Sequence, residues 1–117
     1  MARHNQTGKE GEALAASWLT ANGYNILHQN WRHSHWEVDI IASKEKRLHI
    51  VEVKTRSTKN FGHPEENMDA KKMQYLINAA EEYLYQHPQW QQLQFDILAI
   101  TLSTSEVEYF LIEDVYL

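Results

Sequence analysis

The sequence predicts an α/β protein in which a mixed five-stranded sheet is flanked by helices. Helix-type and strand-type patterns follow one another in the order α-β-β-β-α-β-β. The strand predicted over 47–55, the helix after it and the strand over 93–102 form a βαβ unit, whose strands run parallel through a right-handed crossover. The strand over 47–55 is therefore expected at the centre of the sheet. A length of 117 residues suits one domain, so we expect a single domain over 1–117.

The first helix is predicted to begin at a capping box over residues 7–10. In this motif the hydroxyl of Thr7 and the carboxylate of Glu10 would satisfy amide groups at the helix start. Apolar residues then recur at helical spacing, and Asn22-Gly23 is a common signal for the end of a helix.

The remaining elements follow from alternating apolar runs separated by polar turns. Met68 to Gln86 carries apolar residues at helical spacing, and His87-Pro88 ends that helix. The polar segment over 56–67 is predicted to be a loop. The predicted strands, joined in one case by a tight turn over 44–46, cover residues 24–32, 38–42, 47–55, 93–102 and 107–112.

Composition excludes several classes of site. The chain has no cysteine, which excludes a disulfide scaffold, a thiolate metal site and a cysteine nucleophile. Its polar start and the lack of a long apolar run favour a cytoplasmic protein without a membrane partner. The net charge of -5 argues against a nucleic-acid partner, yet residues 1–60 hold nine basic against six acidic residues, whereas 61–117 hold two against ten. A polyanion would therefore contact the first half, unless the surface charge is merely unevenly scattered.

The predicted central strand carries two charged residues on one face. Side chains alternate across a strand, so Glu52 and Lys54 share the face of Leu48 and Ile50. Removing charges from water is costly unless they are paired or bound to a metal. A salt bridge between Glu52 and Lys54 at the sheet edge would be one solution.

A second carboxylate favours a metal site instead. Asp39 lies among apolar residues in the preceding strand, and counting back from the turn places it at the depth of Glu52. Two carboxylates beside Lys54 form a hard oxygen site that suits Mg²⁺ or Mn²⁺.

The first helix offers a third carboxylate. Glu12 borders the buried arc of that helix, so it can lean over the sheet or remain a solvated boundary residue. The small residues Gly8, Gly11 and Ala15 lie on the same side and would allow the helix close to the strands.

Five blocks of the sequence, in order, resemble the YraN-type family of bacterial proteins, which is placed in the restriction-endonuclease-like superfamily near archaeal Holliday-junction resolvases. The blocks are GKEGEALAASWL, GYNILHQNWR, WEVDIIA, IVEVKTRS and FGHPEE. The resemblance covers about residues 8–100 and implies a restriction-endonuclease-like α/β/α core with a metal-dependent nuclease site.

The resemblance also implies a role for each candidate residue. Glu12 matches the helix glutamate of the family, Asp39 and Glu52 its metal-binding carboxylates, and Lys54 its catalytic lysine. Trp36 stands where family members usually have glycine, so it can narrow the approach to the site or act as a base-stacking surface.

The expected activity is Mg²⁺- or Mn²⁺-dependent hydrolysis of DNA phosphodiester bonds, with branched or junction DNA among the substrates. The metal would polarise the phosphate and activate water, and Lys54 would orient that water or offset charge. Glu12 would hold a second ion or a metal-bound water. A homodimer is expected if the substrate is a two-fold junction. The alternatives are a nucleic-acid-binding module of the same fold without turnover and a protein-interaction domain. The expected phosphate contacts are Arg56, Lys59, Lys44, Lys46 and Arg47.

Overall fold

A computed structural model of the chain describes residues 2–57 and 70–115, with side chains from residue 8 onward. These ranges contain two helices and five strands. Their bounds are α1 (Ala2–Ala21), β1 (Asn25–His33), β2 (Trp36–Lys44), β3 (Arg47–Arg56), α2 (Ala70–Gln86), β4 (Leu93–Leu102) and β5 (Val107–Ile112). The predicted strands are confirmed with small shifts of their ends, whereas Met68, Lys59 and most of the predicted loop fall outside the described residues.

The five strands form one sheet in the order β1-β2-β3-β4-β5. The β3 and β4 strands run parallel, and every other neighbouring pair is antiparallel. The prediction of a mixed sheet with β3 at its centre is therefore confirmed.

Each face of the sheet packs against one helix, which gives the α/β/α layering. On one face α2 contributes the buried residues Leu76, Ala79, Ala80 and Tyr83, which pack on Val38, Ile41, Leu48, Ile50 and Phe95. On the other face α1 contributes the buried residues Ala15 and Leu19, which pack with Tyr24, Ile40, Ala42, Val51, Leu98 and Ile100. Because β3 is covered on both faces, a charged side chain on it must find a partner or a cleft.

The hairpin between β2 and β3 fixes how far each strand reaches. Its turn consists of Glu45 and Lys46, both with positive φ angles (52° and 66°), as two-residue hairpin turns require. Pairing then runs from Lys44↔Arg47 to Ile40↔Val51. The next residue of β2 is Asp39 and the next of β3 is Glu52, so the two carboxylates lie at the same depth, as predicted.

The predicted start of the first helix is wrong. Helix α1 already begins at Ala2, so Thr7 and Glu10 lie within the helix and not at its start. The segment before Thr7 contains neither proline nor glycine, and a capping side chain is worth only about 1 kcal/mol. Such a small preference does not stop a helix that can continue. Beyond this, no helix among the described residues has the length and apolar character needed to cross a membrane.

Helix α1 approaches the central strand most closely at one of its glycines. A Cβ atom at Gly11 would lie 2.9 Å from Cβ and 3.0 Å from Cγ2 of Thr55, and closer still to its Oγ1. A Cβ atom at Gly8, in contrast, would meet nothing within 4 Å. The expectation that small residues allow a close helix thus holds for Gly11 and the buried Ala15, and is wrong for Gly8.

A buried polar pair ties the far end of the sheet. His49 Nδ1 lies 2.7 Å from Asp96 Oδ2, and both side chains are buried. The other oxygen of Asp96 accepts hydrogen bonds from Gln94 Nε2 at 2.8 Å and from the backbone N–H of Asp114 at 3.0 Å. These contacts give Asp96 a structural role and fasten the segment that follows β5.

We expect Gly11→Ala to lower the free energy of unfolding by about 1–3 kcal/mol, because the added methyl group overpacks the contact with Thr55. Gly8→Ala is the matched control on the same helix, and it should be neutral or stabilising by up to about 1 kcal/mol, since alanine favours helix. Urea unfolding followed by circular dichroism measures both. Equal stability of the two variants would contradict the close approach of α1.

Candidate active site

A cleft of about 400 Å³ opens on the α2 face of the sheet, at the end of the β2–β3 pairing. It contains most of the residues that the sequence singles out. Its lining consists of His35, Trp36, Glu37, Asp39, Glu52, Val53, Lys54, Lys72, Tyr75 and Leu76. Three acidic side chains and two lysines thus meet apolar and aromatic side chains in one concave site, which is typical of a binding or catalytic site.

Asp39 is held between the two strands by the backbone of β3. Its Oδ2 accepts a hydrogen bond of 2.8 Å from the N–H of Val53, just beyond the paired residues Ile40 and Val51. Burial, and next the negative charge of Glu52, raise the pKa of Asp39 from 3.8 to about 7. The hydrogen bond from Val53 acts in the opposite direction, but it does not outweigh the other two.

Glu52 is buried, with 7% of its surface exposed, and both neighbouring lysines contact it. Its Oε2 lies 2.5 Å from Lys72 Nζ and 3.5 Å from Lys54 Nζ. The salt bridge with Lys54 that the sequence allows is therefore present, but the shorter contact is made by the lysine of α2. This compensation lets a carboxylate occupy a buried position of the central strand.

The environment shifts the pKa values of the two lysines in opposite directions. Burial, a hydrogen bond with Lys72 and the positive charge of Lys72 lower the pKa of Lys54, against a smaller opposing effect of Glu52. Burial also tends to lower the pKa of Lys72, but hydrogen bonds with Glu52 and Lys54 and the charges of Glu52 and Asp39 raise it overall. Lys54 is therefore the lysine that gives up a proton more readily.

Glu12 approaches from the opposite face of the sheet, because it belongs to α1. Its Oε1 accepts a hydrogen bond of 3.2 Å from Asn30 Nδ2. Its charge also raises the pKa of Asp39, though less than that of Glu52 does. Within residues 2–57 and 70–115, no group of three or more His, Asp or Glu side chains is arranged to hold a metal ion. Asp39 and Glu52 are thus the candidate donor pair, and Glu12 stands apart from them.

Sequence reasoning missed Lys72, although a signal for it existed. Lys72, Leu76 and Tyr83 follow helical spacing, and the last two are buried against the sheet. A lysine one turn before Leu76 must point to the same side. That spacing predicts a second cation above Glu52.

Aromatic rings border the mouth of the cleft. The ring centroid of His35 lies 5.4 Å from that of Trp36 and 5.5 Å from that of Tyr75. Nε1 of Trp36 is the one buried side-chain nitrogen or oxygen that lacks a hydrogen-bond partner among the described residues. The expected position of Trp36 beside the site is confirmed.

The predicted phosphate contacts lie in different places. Arg56 ends β3, two residues after Lys54, and lines a separate groove of about 480 Å³ with Tyr109 and Phe110. Lys59 lies outside the described residues. The basic residues of the hairpin turn lie at the opposite end of β3; they are Lys44, Lys46 and Arg47. Lys54 lies seven residues after Arg47, and at about 3.3 Å per residue this distance along the strand is roughly 23 Å. Of the predicted contacts that the structure describes, Arg56 is therefore the nearest to Lys54 along β3.

A family model and individual relatives among known proteins match the chain over most of its length. Residues 11–100 match the model of "Uncharacterised protein family UPF0102". A UPF0102 protein of Bacteroides thetaiotaomicron is 45% identical over 100 residues, which are 86% of this chain and 83% of that protein. A second, from Flavobacterium psychrophilum, is 41% identical over 116 residues, which are 99% and 98% of the two chains. The matched range includes every residue of the cleft.

The raised pKa of Asp39 predicts a loss of stability as pH rises. In the unfolded chain the carboxyl ionises near pH 4, whereas in the folded protein it ionises near pH 7, so the ionised form is disfavoured only in the folded state. In chelator, the wild-type free energy of unfolding should therefore fall between about pH 4 and pH 7. Asp39→Asn keeps an oxygen that accepts the Val53 N–H and has no charge. We expect the free energy of unfolding of this variant to exceed that of wild type by on the order of 2 kcal/mol at pH 8, and by much less at pH 4.5.

Asp114→Asn is the matched control, because Asp114 is exposed and uses its backbone to contact Asp96. It should follow the wild-type pH dependence in urea unfolding. If Asp39→Asn also follows the wild-type curve, the carboxyl of Asp39 is not held in the disfavoured charged state that the geometry indicates.

Proposed function

This chain belongs to Uncharacterised protein family UPF0102, the YraN-type family that its sequence resembles, and we propose that it is a divalent-metal-dependent endonuclease that hydrolyses DNA phosphodiester bonds. The observation that carries the proposal is the pair of carboxyl groups, Asp39 and Glu52, in one cleft with two lysines. Such a cleft combines carboxyl groups that can bind a cation with lysines that can bind a phosphate.

The donor chemistry fits Mg²⁺ or Mn²⁺. Both cations prefer oxygen ligands, and Mg²⁺ is commonly bound through one or two carboxylates together with waters and substrate phosphates. A pair such as Asp39 and Glu52 is therefore sufficient on the protein side. A cation would also stabilise two carboxylates whose mutual repulsion now raises the pKa of Asp39.

The bound cation would act as a Lewis acid on the phosphate and provide a nucleophilic water at neutral pH. The fold holds the two carboxyl groups at fixed positions: the Val53 N–H orients Asp39, and the central strand carries Glu52. Fixed groups favour catalysis because no reorganisation is needed at the moment of reaction.

The opposite pKa shifts of the two lysines support different roles. Groups whose surroundings separate their pKa values commonly divide proton transfer and charge stabilisation between them. Lys54, with its lowered pKa, would donate a proton from its ammonium group to the leaving oxygen as the bond to phosphorus breaks. Lys72, with its raised pKa, stays charged and offsets the negative charge of the phosphate.

DNA as the substrate rests on the family resemblance and on the distribution of charge. The first half of the chain is basic although the whole is acidic, and Arg56 follows the cleft on the same strand. Phosphate contacts of this kind position a duplex or branched substrate without reading its sequence. If the substrate is a two-fold junction, a homodimer would match its symmetry.

A nucleic-acid-binding module without turnover is the second candidate, and one observation favours it. Lys72 Nζ lies 2.5 Å from Glu52, so a lysine already compensates the carboxylate that a metal would need. Such a module would bind DNA equally well in chelator, whereas the proposed enzyme requires the cation for cleavage.

The two lysines provide the sharpest test of the enzyme. Arginine keeps a positive charge but cannot deprotonate in proteins. With Mn²⁺ and a panel of linear, flapped and four-way DNA, Lys54→Arg should lower the cleavage rate by about 10²–10⁴-fold. Lys72→Arg should retain the cleavage rate within roughly tenfold, and Lys72→Ala should lower the cleavage rate more than Lys72→Arg does.

Lys71→Arg is the matched control, because Lys71 is the exposed neighbour of Lys72 on α2, and it should leave the rate unchanged. Glu52→Gln, purified in parallel, reveals contaminating nuclease. Full cleavage by Glu52→Gln, or equal rates for Lys54→Arg and wild type, would show that other residues or other proteins are responsible.

A further inference from the structure

We propose that the rings of His35, Trp36 and Tyr75, called here the aromatic rim, bind an unpaired nucleobase beside the scissile phosphate. This inference rests on the proposed function and names its substrate class: DNA with unpaired nucleotides, such as single strands, flaps and branch points. Continuous duplex is then a poor substrate.

The aromatic rim belongs to the same cleft as the charged groups. All three rings line it together with Asp39, Glu52 and Lys54. Tyr75 stands three residues after Lys72, so the two side chains are neighbours on the surface of α2. Lys72 in turn contacts Glu52. A phosphate at the lysines would therefore have an aromatic surface beside it in the same cleft.

Core packing does not account for the position of Tyr75. Two other tyrosines of α2 show the contrast: Tyr83 is 2% exposed and packs edge-on against Trp31, and Tyr85 is 82% exposed outside the cleft. Tyr75 is 41% exposed and lines the cleft, and its ring packs edge-on against that of His35 with an interplanar angle of 81°. A large part of its ring is thus open at the cleft mouth.

An unpaired base suits this surface better than a base pair does. In a continuous duplex the faces of each base are covered by its neighbours, whereas an unpaired or extruded base offers them to aromatic side chains. A cleft of about 400 Å³ lies in the size range of small-ligand pockets, which suits one nucleotide. Stacking on an aromatic side chain contributes about 1–3 kcal/mol per base, or roughly 5- to 150-fold in affinity.

The test measures binding of the full chain to DNA in chelator, so that no cleavage is needed. The probes are single-stranded and flapped oligonucleotides with one 2-aminopurine, the same strands with an abasic site instead, and a matched duplex. We expect wild type to quench 2-aminopurine fluorescence in the unpaired probes. Tyr75→Ala should markedly reduce the quenching and weaken binding by roughly 5- to 150-fold, with little effect on the abasic strand or the duplex.

Tyr85→Ala is the matched control on the same helix and should behave as wild type. Tyr75→Leu keeps apolar volume without a stacking ring, so it should fail like Tyr75→Ala, while Tyr75→Phe should retain binding. Because Tyr75 is partly exposed, each variant should unfold near the wild-type temperature, and Tyr75→Leu serves if Tyr75→Ala does not fold.

The outcomes separate this inference from the proposed function. Quenching that depends on Tyr75, without metal-dependent cleavage by the same preparation, would support the aromatic rim and overturn the enzyme. Equal cleavage of duplex and single strands, with no effect of Tyr75→Ala or Tyr75→Leu on binding, would overturn the aromatic rim and leave the enzyme standing. If the Tyr75 variants lose equal affinity for base-containing and abasic strands, that result would also overturn the aromatic rim.

Discussion

The hydrogen bond from the Val53 N–H to the Asp39 carboxyl is the contact on which the site depends. It lies just beyond the last described pair of the β2–β3 ladder, Ile40↔Val51, and it places a side-chain oxygen against the backbone of the central strand. Asp39 is thereby fixed beside Glu52 instead of turning to solvent. Burial, and next the negative charge of Glu52, then raise the pKa of Asp39. Glu52 in turn contacts Lys72, whose pKa is raised, whereas burial and Lys72 lower the pKa of Lys54.

The two faces of the sheet contribute unequally to the cleft. Helix α2 supplies Lys72 and Tyr75 directly above β3, whereas α1 supplies only the distant charge of Glu12 from the opposite face. Both helices are held by extensive apolar packing against the strands. This packing stabilises a fold that carries a costly group of buried ionisable side chains at its centre. Such local destabilisation is common where groups are placed for chemistry and not for stability.

Much of the fold could be predicted because local patterns and topology agree. Apolar alternation and the hairpin turn located β2 and β3, and counting from the turn placed Asp39 level with Glu52. The start of α1 could not be predicted, because a cap at Thr7 competes with helix continuation by only about 1 kcal/mol. Lys72 and the exposed ring of Tyr75 depend on how α2 lies over the sheet, which is a property of tertiary packing. Residue spacing within α2 indicates their side of the helix, but not which strand residue they meet.

The proposed function requires that Asp39 and Glu52 together bind one divalent cation. Anomalous X-ray scattering from a crystal soaked in Mn²⁺ tests it most directly, because the signal locates the ion without any assay of activity. We expect a peak roughly 2.0–2.6 Å from an oxygen of each carboxylate, with Lys72 Nζ displaced from Glu52 Oε2. A cleft without a peak at saturating Mn²⁺, or a peak bound only by other residues, would contradict it.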